Sequence, residues 1–573
     1  MASPLSVLAP RVTRATEAAF GPEHAGADPV LRPSQYADVQ VNAALALAKR
    51  LGLPPREVAA RLVDHLDVSD VCETVEISGP GFVNLTLAAA WIGAEATRVR
   101  QDDRVGVPRE QPQRVVIDYS APNVAKEMHV GHLRTTVVGD ALARTLEHLG
   151  HDVVRQNHIG DWGTPFGMLI EHLLDVGEDS DEAHLLEIDP NAFYQGARER
   201  FDGDEAFATR SRRRVVALQA GDEDTLRLWA ELVELSRRYF NRIYGRLGVT
   251  LTDDDRAGES TYNDRLATVC DELEAAGIAT TSEGALCVFL DGYTGREGRP
   301  VPLIIRKSDG GYGYATTDLA TIRHRIEDLH ADRILYVIGA PQSLHLRMVW
   351  DTARLAGWLP AGVDPVHVQI GNVLGEDRKI LRTRSGAPLR LMALLDEAAA
   401  TARAVIDEAR PDLPEDTRAA IAPQVGIGAV KYADLSVAHD SEYVFDLDRM
   451  VALTGDTGPY LQYAAARIRS IFRAADAEAG SAITVTEPAE RALALELLEF
   501  GDVVTHVGAE LEPHRLCHHL FGLAQAFSVF YEHCPVLRAE PGTRASRLAL
   551  CALTLDVLDQ GLDLLGLQAP DRM

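Results

Sequence analysis

The sequence predicts an α/β protein in which a Rossmann-like parallel-sheet domain carries a helical insert, follows an α+β domain and precedes an all-α bundle. Three observations support this fold class. A strand, a loop, a helix and a second strand succeed one another between residues 114 and 157, and such a βαβ unit is typical of a parallel sheet. The first 105 residues mix helical and alternating patterns. Nearly everything after residue 390 has the apolar spacing of amphipathic helices.

The N-terminal domain is expected over residues 1–105. Ala37–Leu51 has the apolar periodicity of a helix. Val75–Leu87 alternates like a hairpin that is interrupted at Gly79-Pro80-Gly81. The charged segment Gln101–Gln113 contains two prolines, which is typical of a linker.

The sheet domain is expected over residues 112–390. Its strands are predicted at Arg114–Ser120, Val153–Asn157, Arg333–Ile338 and Pro365–Ile370, with a helix at about Gly131–Leu149 that ends at Gly150. A charged, mostly helical insert is expected over about residues 175–300, with hairpin-like strands around Ala285–Leu290 and Pro302–Arg306.

The bundle is expected over residues 391–573, with helices such as Tyr460–Ala474 and Pro513–Tyr531. No helix presents a long heptad seam, and we expect a monomer.

Composition excludes several protein classes. The 573 residues include 85 acidic and 57 basic side chains, for a net charge of −28. Nucleic-acid binding must therefore use local basic patches rather than overall charge. No apolar run approaches the roughly 20 residues that cross a bilayer, and Pro4, Pro10 and Arg11 interrupt the region where a secretion signal would be apolar. We expect a cytoplasmic protein with no membrane partner.

The motif His129-Val130-Gly131-His132 follows the first strand and opens a helix. Backbone amides at such a turn favour phosphate, and two imidazoles can donate hydrogen bonds to charge that develops on a transferred phosphoryl group. Gly131 has no side chain, so an adenine ring can lie against its backbone. The alternative is that the two histidines only cap the helix.

Around this motif the chain resembles a known family. The segment IDYSAPNVAKEMHVGHL, from Ile117, resembles the first signature of arginyl-tRNA synthetases of bacterial type, which are class I aminoacyl-tRNA synthetases. Further blocks resemble the family in the expected order, namely KSDGGYGYATTDLATIRHRI from Lys307, LYVIGAPQSLHL from Leu335, KYADLSVAHDSEYVFDLDRM from Lys431 and GDTGPYLQYAAARIRS from Gly455. The resemblance covers about residues 114–175 and 301–573, and it is poor in the insert.

The resemblance implies an aminoacyl-tRNA ligase. ATP, as its Mg²⁺ complex, and L-arginine give arginyl-adenylate and pyrophosphate, and the arginyl group then passes to the 3′ end of its tRNA. In this family arginine activation itself requires bound tRNA. The resemblance further implies that residues 112–390 are catalytic, that residues 1–105 contact the tRNA elbow and that residues 391–573 bind the anticodon.

The family pattern also implies an arginine pocket. A guanidinium calls for planar, bidentate carboxylate acceptors. Asp118 lies at the carboxyl end of the first strand, where open α/β sheets bind ligands, and Asp318 shares a helical face with Tyr314 four residues earlier. The residues that match the family's arginine contacts are Asp118, Asn123, Tyr314, Asp318 and Gln342. Taken alone, Asp318 could instead be an acid favoured at a helix start.

A second signature of class I enzymes closes on the ATP phosphates, and here it departs from the lysine-rich KMSKS form. The corresponding stretch is Glu376–Gly386, in which Lys379, Arg382 and Arg384 are the candidate phosphate contacts. Family members with a degenerate loop carry a lysine before the histidine motif, and Lys126 occupies that position. Catalysis is therefore assigned to His129, His132, Lys126 and Arg384. A merely solvated basic loop is the alternative.

Contacts with tRNA are expected in three places, and for one of them, the insert near the acceptor end, the sequence does not identify individual residues. The C-terminal helices offer the aromatic and polar set Tyr460, Gln462, Tyr463 and Arg467, which suits unstacked bases. Phe82 and Asn84 of the N-terminal domain are further candidates, although ordinary strand positions explain them equally well.

No structural metal is expected. His514, Cys517 and His518 share a helical face, but no second ligand cluster accompanies them, and a structural zinc site usually needs four ligands. The six cysteines contain no CxxC pair, which also argues against a disulfide framework.

Three other functions compete with the ligase. A class I synthetase for another amino acid is one of them, but the paired carboxylates Asp118 and Asp318 favour a cationic substrate. A small-molecule adenylyltransferase could use the same histidine turn but has no need of a long helical bundle. A binding paralogue could keep tRNA recognition without catalysis, yet His129, His132, Asn123 and the acidic pocket are intact.

Overall fold

The computed structural model describes residues 3–34, 36–295, 298–382, 389–475, 480 and 482–573. The chain forms two compact units. The first consists of Met1–Arg109, Ala452–Leu564 and Gln568–Met573, and the second consists of Glu110–Val451 and Leu565–Leu567. Within the described ranges, no helix is both long enough and apolar enough to cross a membrane.

The first unit begins with an α+β segment. Its elements are α1 (Pro4–Phe20), β1 (Leu31–Pro33), β2 (Val39–Val41), α2 (Ala43–Leu51), α3 (Pro55–Asp64), β3 (Cys72–Ser78), β4 (Phe82–Leu87) and α4 (Ala89–Arg100). The four strands form an antiparallel sheet in the order β1-β2-β4-β3. The predicted hairpin is confirmed, because β3 and β4 pair across the turn at residues 79–81.

The predicted helix over Ala37–Leu51 is wrong before Ala43. Val39 and Val41 lie in β2, where they pair with Leu85 and Val83 of β4. These β-branched side chains are buried against the sheet, and that packing outweighs the helical spacing of the segment. The helix α2 begins only at Ala43.

The second unit contains the parallel sheet and the insert. Its elements up to the last sheet strand are β5 (Arg114–Asp118), α5 (Val130–Leu149), β6 (Asp152–Gln156), α6 (Thr164–Val176), α7 (Leu185–Ile188), α8 (Pro190–Gly203), α9 (Glu205–Gln219), α10 (Glu223–Leu247), α11 (Asn263–Ala275), β7 (Ala279–Ser282), β8 (Ala285–Thr294), β9 (Pro300–Arg306), α12 (Tyr314–Glu327), β10 (Arg333–Gly339), α13 (Ser343–Leu355) and β11 (Asp364–Ile370). The predicted βαβ unit and the two later strands are confirmed.

The parallel sheet has the strand order β11-β10-β5-β6. The strands β5 and β10 are neighbours although about 215 residues separate them. After β5 the chain crosses over towards one edge of the sheet, and after β10 it crosses over towards the other edge, so the strand order reverses between these two strands. Residues of both strands, such as Val116, Ile117 and Leu335, are fully buried, as expected for a parallel sheet that is covered on both faces. Ligands bind outside the carboxyl ends of strands at such a reversal.

The second unit continues beyond the sheet with β12 (Val373–Leu374), α14 (Leu391–Ala409), α15 (Glu415–Leu435), β13 (Tyr443–Val444) and α16 (Leu447–Met450). The first unit then resumes with α17 (Gly458–Ala474), α18 (Pro488–Glu510), α19 (His514–His533) and α20 (Pro541–Leu564).

The predicted domain boundary at residue 390 differs from the boundary between the compact units at residue 451. Two contacts explain the difference. Asp434 of α15 is buried and pairs with Arg134 of α5, at 2.6 Å between Oδ1 and Nε. The helices α14 and α15 touch at Gly426, where a Cβ atom would lie 2.3 Å from the Ala398 carbonyl oxygen. Both helices therefore belong to the compact unit of the sheet.

Candidate active site

A cleft of about 650 Å³ opens at the carboxyl ends of β5 and β10. Its lining brings together most residues predicted to contact ATP and arginine, namely Asp118, His129, Gly131, His132, Tyr314, Asp318, Gln342 and Arg382. Asn123, Lys126 and Lys379 are not in this lining. Arg384 lies outside the described residues.

The two histidines of the motif make capping hydrogen bonds at the start of α5. Nδ1 of His129 accepts from the Gly131 amide at 3.1 Å, and Nδ1 of His132 accepts from the His129 amide at 3.2 Å. An imidazole nitrogen that accepts a hydrogen bond carries no proton, so each neutral ring has its proton on Nε2. Capping and phosphate binding are therefore compatible, because capping uses Nδ1 and leaves the Nε2 protons for a ligand.

Both rings are held in the neutral state. Burial lowers the pKa of His132 to about 3, and the neighbouring His129 ring and Lys126 ammonium act in the same direction. Burial also lowers the pKa of His129, again with a contribution from the Lys126 ammonium. The motif therefore offers neutral hydrogen-bond donors to an anionic ligand throughout the physiological pH range.

Gly131 allows the His129 ring to take its capping position. A Cβ atom at residue 131 would lie 2.9 Å from Cε1 of the His129 ring. The glycine is thus required by the capping geometry as well as by the open surface predicted for an adenine ring.

Asp118 lies at the floor of the cleft and is 5% exposed. Its Oδ2 accepts a hydrogen bond from a terminal nitrogen of Arg325 at 2.6 Å. Arg325 also donates to Gln156 at 2.8 Å and stacks over the Tyr336 ring. The second oxygen of Asp118, Oδ1, has no hydrogen-bond partner among the described residues. One buried carboxylate oxygen thus remains available at the floor.

The opposite side of the cleft is formed by α12 and the turn after β10. Asp318 bonds His345 at 2.5 Å between Oδ2 and Nε2, and this hydrogen bond raises the pKa of His345. Tyr314, at the start of α12, is 73% exposed. Gln342 ends the short 3₁₀ turn Ala340–Gln342, and its side chain is exposed. His345 lies within the LYVIGAPQSLHL block, but the sequence analysis did not single it out as a site residue.

A third carboxylate, Glu259, lines the same cleft. Asp161 holds its segment by accepting from the Ser260 amide at 2.9 Å and from the Ser260 hydroxyl at 2.7 Å. Gly258 fits because a Cβ there would lie 2.2 Å from Asp161 Oδ2. Burial raises the pKa of Glu259 to about 8, with contributions from the charges of Asp161 and Asp318. Glu259 lies in the insert, where the sequence offered no pattern to identify it.

Asn123 and Lys126 occupy the loop between β5 and α5 outside the cleft lining. Asn123 is exposed and forms an isolated bridge with Gly160. The Lys126 ammonium lies 4.3 Å from the centre of the Tyr194 ring. It lines a separate cavity of about 280 Å³ together with Tyr239 and Arg242. The structure therefore does not bring the Lys126 ammonium into the main cleft.

The described part of the second signature forms an exposed turn. The Gly375 amide donates to the Lys379 carbonyl at 2.8 Å, and Asp377 Oδ1 accepts from the Lys379 amide at 3.1 Å. Lys379 and Arg382 are both exposed, and only Arg382 reaches the cleft lining.

The residues predicted to contact tRNA separate into exposed and buried ones. Tyr463 is 36% exposed, and the Arg467 guanidinium lies 4.2 Å from the centre of the Tyr531 ring, which is 37% exposed. Tyr460 is half-buried and stacks edge-on against Phe521. The sequence analysis did not predict Tyr531 as a tRNA contact, although this residue lies in an aromatic stretch of α19.

Gln462 and Asn84 are buried, which is a correction to their prediction as RNA contacts. Gln462 lies on the buried face of α17, where its side-chain amide donates to the Gln568 carbonyl at 2.6 Å. Asn84 accepts from Gln40 at 2.8 Å and donates to Ser78 at 3.0 Å within the sheet. Phe82, two residues earlier, is half-buried at the start of β4.

Across the described ranges, no group of three or more histidine, cysteine or acidic side chains is arranged to hold a metal ion. His514 and His518 are neighbours, with ring centres 5.7 Å apart, and Cys517 is fully buried.

Three family models match this chain. The model described as the catalytic domain of class I (R) tRNA synthetases covers residues 96–447. The DALR anticodon binding domain covers residues 461–573, and the arginyl tRNA synthetase N terminal domain covers residues 6–87.

Curated relatives match over the full length. The arginine–tRNA ligase of Thermobifida fusca is 69% identical over 100% of both chains, and that of Frankia casuarinae is 56% identical over 96% of both. Among solved structures, the arginyl-tRNA synthetase of Plasmodium falciparum has a TM-score of 0.84 at 26% identity, and that of Thermus thermophilus has 0.81 at 25%. Each of the two structural matches covers 100% of this chain and 100% of the solved chain.

Proposed function

The chain belongs to the arginyl-tRNA synthetase family, and from that premise we propose how its own residues divide the reaction. The protein is an aminoacyl-tRNA ligase: it activates L-arginine with ATP, forming arginyl-adenylate and pyrophosphate, and transfers the arginyl group to the 3′ end of its tRNA. The observation that supports the division of roles is the cleft, whose lining combines two histidines at a helix start with three acidic side chains.

We propose that arginine binds with its guanidinium between Asp318, Glu259 and Tyr314. Two carboxylates suit a planar fork that carries five N–H donors. The free oxygen of Asp118 accepts from the substrate's α-ammonium, and Gln342 contacts the same end of the substrate. Asn123 also contacts the substrate in this arrangement, because it follows the cleft residues Ser120 and Ala121 in the same loop.

ATP enters as its Mg²⁺ complex and lies against Gly131, with the phosphates at His129, His132 and the start of α5. The arginine carboxylate oxygen attacks the α-phosphorus, and the bond to pyrophosphate breaks as the new P–O bond forms. Donors aimed at the equatorial oxygens stabilise the charge that builds up there. Arg382, Lys379 and Arg384 contact the departing phosphates, and the Lys126 charge adds to the positive potential of the turn.

In the second step the hydroxyl of the terminal ribose attacks the arginyl carbonyl, AMP leaves with the electron pair of the broken mixed-anhydride bond, and the hydroxyl proton passes to a phosphate oxygen of the departing AMP. This step depends mainly on positioning. We propose that Tyr463, Arg467 and Tyr531 form a stacking surface for an anticodon base, with Tyr460 beside them and Phe82 contacting the RNA elbow. This assignment places anticodon binding in the C-terminal helices and elbow binding in residues 1–105.

We further propose that the protein acts as a monomer in the cytoplasm. Size-exclusion chromatography with light-scattering detection tests the oligomeric state, and a monomer should have a mass near 62.4 kDa.

Charging of arginine tRNA with labelled arginine tests the proposed roles. The wild type should charge it, and Asp318→Asn should do so only at much higher arginine concentration. Equal charging by both proteins at low arginine concentration would remove Asp318 from the pocket.

A further inference from the structure

The loop between β5 and α5 contains three strained residues. Ser120, Ala121 and Ala125 have φ angles of 72°, 47° and 57°, in the left-handed region that costs free energy for any residue with a Cβ atom. The loop connects Asp118 at the cleft floor to the histidine motif. Its conformation therefore sets where these two groups lie relative to each other, and neighbouring structure must hold it there.

One hydroxyl of the insert helix α10 holds the first strained pair. Tyr244 shares a hydrogen bond with the Ser120 hydroxyl at 2.8 Å and accepts from the Asn157 amide group at 2.9 Å. The same Asn157 side chain accepts from the Ala121 backbone amide at 3.1 Å. Ser120, Asn157 and Tyr244 are each at most 4% exposed. Water therefore cannot replace these hydrogen bonds without a rearrangement.

A second hydroxyl on the same helix holds the other strained residue. Ser236 lies two turns before Tyr244, and its Oγ accepts from the Ala125 amide at 2.8 Å while it donates to the Leu232 carbonyl at 3.0 Å. Ser236 is 7% exposed. Both ends of the strained loop are thus bonded to one helix of the insert.

We propose that Tyr244 and Ser236 are positioning residues for arginine activation. Neither side chain lines the cleft, so neither touches arginine or ATP. They act by keeping Ser120, Ala121 and Ala125 left-handed, which places the loop beside the cleft carboxylates. The insert, whose sequence resembles the family least, thereby determines the geometry of the amino-acid site.

Tyr244→Phe tests the first contact, because it removes one hydroxyl and keeps the ring. We expect kcat/KM for arginine in ATP–pyrophosphate exchange to fall by about 10–100-fold, since a buried amide donor loses its partner. The loss should appear as a raised KM for arginine, with the KM for ATP within about twofold. Tyr293→Phe is the matched control, because it removes a 2.6 Å phenol bond to Asp351 elsewhere in the same unit. Equal kinetics of the two variants would overturn the proposal.

A double-mutant cycle tests the second contact. Without the Ser236 bond, Ala125 should leave the left-handed region, whereas glycine occupies that region at no steric cost. Ser236→Ala should therefore lower kcat/KM for arginine by about tenfold in the native background and by less than about threefold beside Ala125→Gly. Ser236→Thr, which keeps a hydroxyl, should stay within about threefold of wild type.

Ser211→Ala is the control for the cycle, because this buried insert serine has no hydroxyl partner among the described residues. It should leave the exchange kinetics unchanged. Additive effects of the changes at residues 236 and 125, or a loss in Ser211→Ala as large as in Ser236→Ala, would show that these serines only support the fold of the insert.

Discussion

The Nδ1 atom of His132 accepts a hydrogen bond from the backbone amide of His129 at 3.2 Å, and this contact determines what the second histidine can do. The ring must carry its proton on Nε2, so it is a hydrogen-bond donor towards the cleft and not a base. The proposed role of the motif in stabilising the transferred phosphoryl group depends on this tautomer.

Replacement of His132 by alanine should lower pyrophosphate exchange by about 10²–10⁴-fold, in the range found when a transition-state donor is removed. The affinity for tRNA, measured by filter binding, should change little. Because the pKa of His132 is about 3, this ring should stay neutral between pH 8 and 6. Exchange that remains at the wild-type level would refute the phosphate role.

Replacement of Asp318 by asparagine should raise the KM for arginine far more than the KM for ATP. Asparagine keeps the size of the side chain but loses the charge that a guanidinium requires. The same change should lower the pKa of His345, which the Asp318 hydrogen bond now raises. A titration of His345 by NMR checks that the carboxylate was removed without loss of the fold. Equal increases in both Michaelis constants would place Asp318 outside the pocket.

Arginine binding should release a proton near pH 7. The pKa of Glu259 is about 8 in the free protein, so this carboxyl is mostly protonated at pH 7 and should ionise when a guanidinium binds beside it. Calorimetry in buffers of different ionisation enthalpy should report a net release of protons when arginine binds at pH 7. As pH rises from 7 to 9, the arginine dissociation constant should fall.

Glu259→Gln should abolish that proton release, whereas Glu127→Gln should not. Glu127 is the matched control because burial also raises its pKa, but its side chain lies outside the cleft lining. Unchanged release in Glu259→Gln would exclude Glu259 as the group that titrates.

The buried pair of Asp118 and Arg325 should be sensitive to the loss of one partner. Arg325→Met would leave Asp118 as an uncompensated charge, and breaking a buried pair costs about 3–5 kcal/mol of unfolding free energy. Urea unfolding of the variant measures the loss. The double variant Arg325→Met with Asp118→Asn should recover part of it, and a double variant as unstable as Arg325→Met would contradict the pairing.

Tyr531→Ala should weaken tRNA binding by about 10–100-fold, in line with the usual contribution of a stacked base. Val529 lies two residues away on α19 and is 48% exposed, so Val529→Ala is the control. Both variants should keep the wild-type KM for ATP in exchange at saturating tRNA. Similar tRNA affinities for the two variants would mean that the Arg467–Tyr531 pair does not contact RNA.

The elements whose conformation is determined by neighbouring residues were predicted correctly from the sequence. The strands around β5 and the start of α5 are confirmed because a short apolar run, a loop and a capped helix are visible in neighbouring residues. The segment before α2 was mispredicted because its conformation depends on pairing with β4, about 45 residues further along the chain.

The site was predictable only where a pattern marked it. Asp118, Asp318 and the histidine motif lie in recognisable blocks and meet in one cleft. Glu259 could not be found, because its placement depends on the contact between Gly258 and Asp161, which are distant in sequence. Helical periodicity alone could not separate exposed Tyr463 from its buried neighbour Gln462.

The most direct test of the central claim is arginine-dependent ATP–pyrophosphate exchange, measured with and without arginine tRNA beside a panel of other amino acids. We predict exchange with arginine and with no other amino acid, and only when tRNA is present. Absence of arginine-dependent exchange while the protein still binds tRNA would contradict it and would indicate an RNA-binding protein without ligase activity.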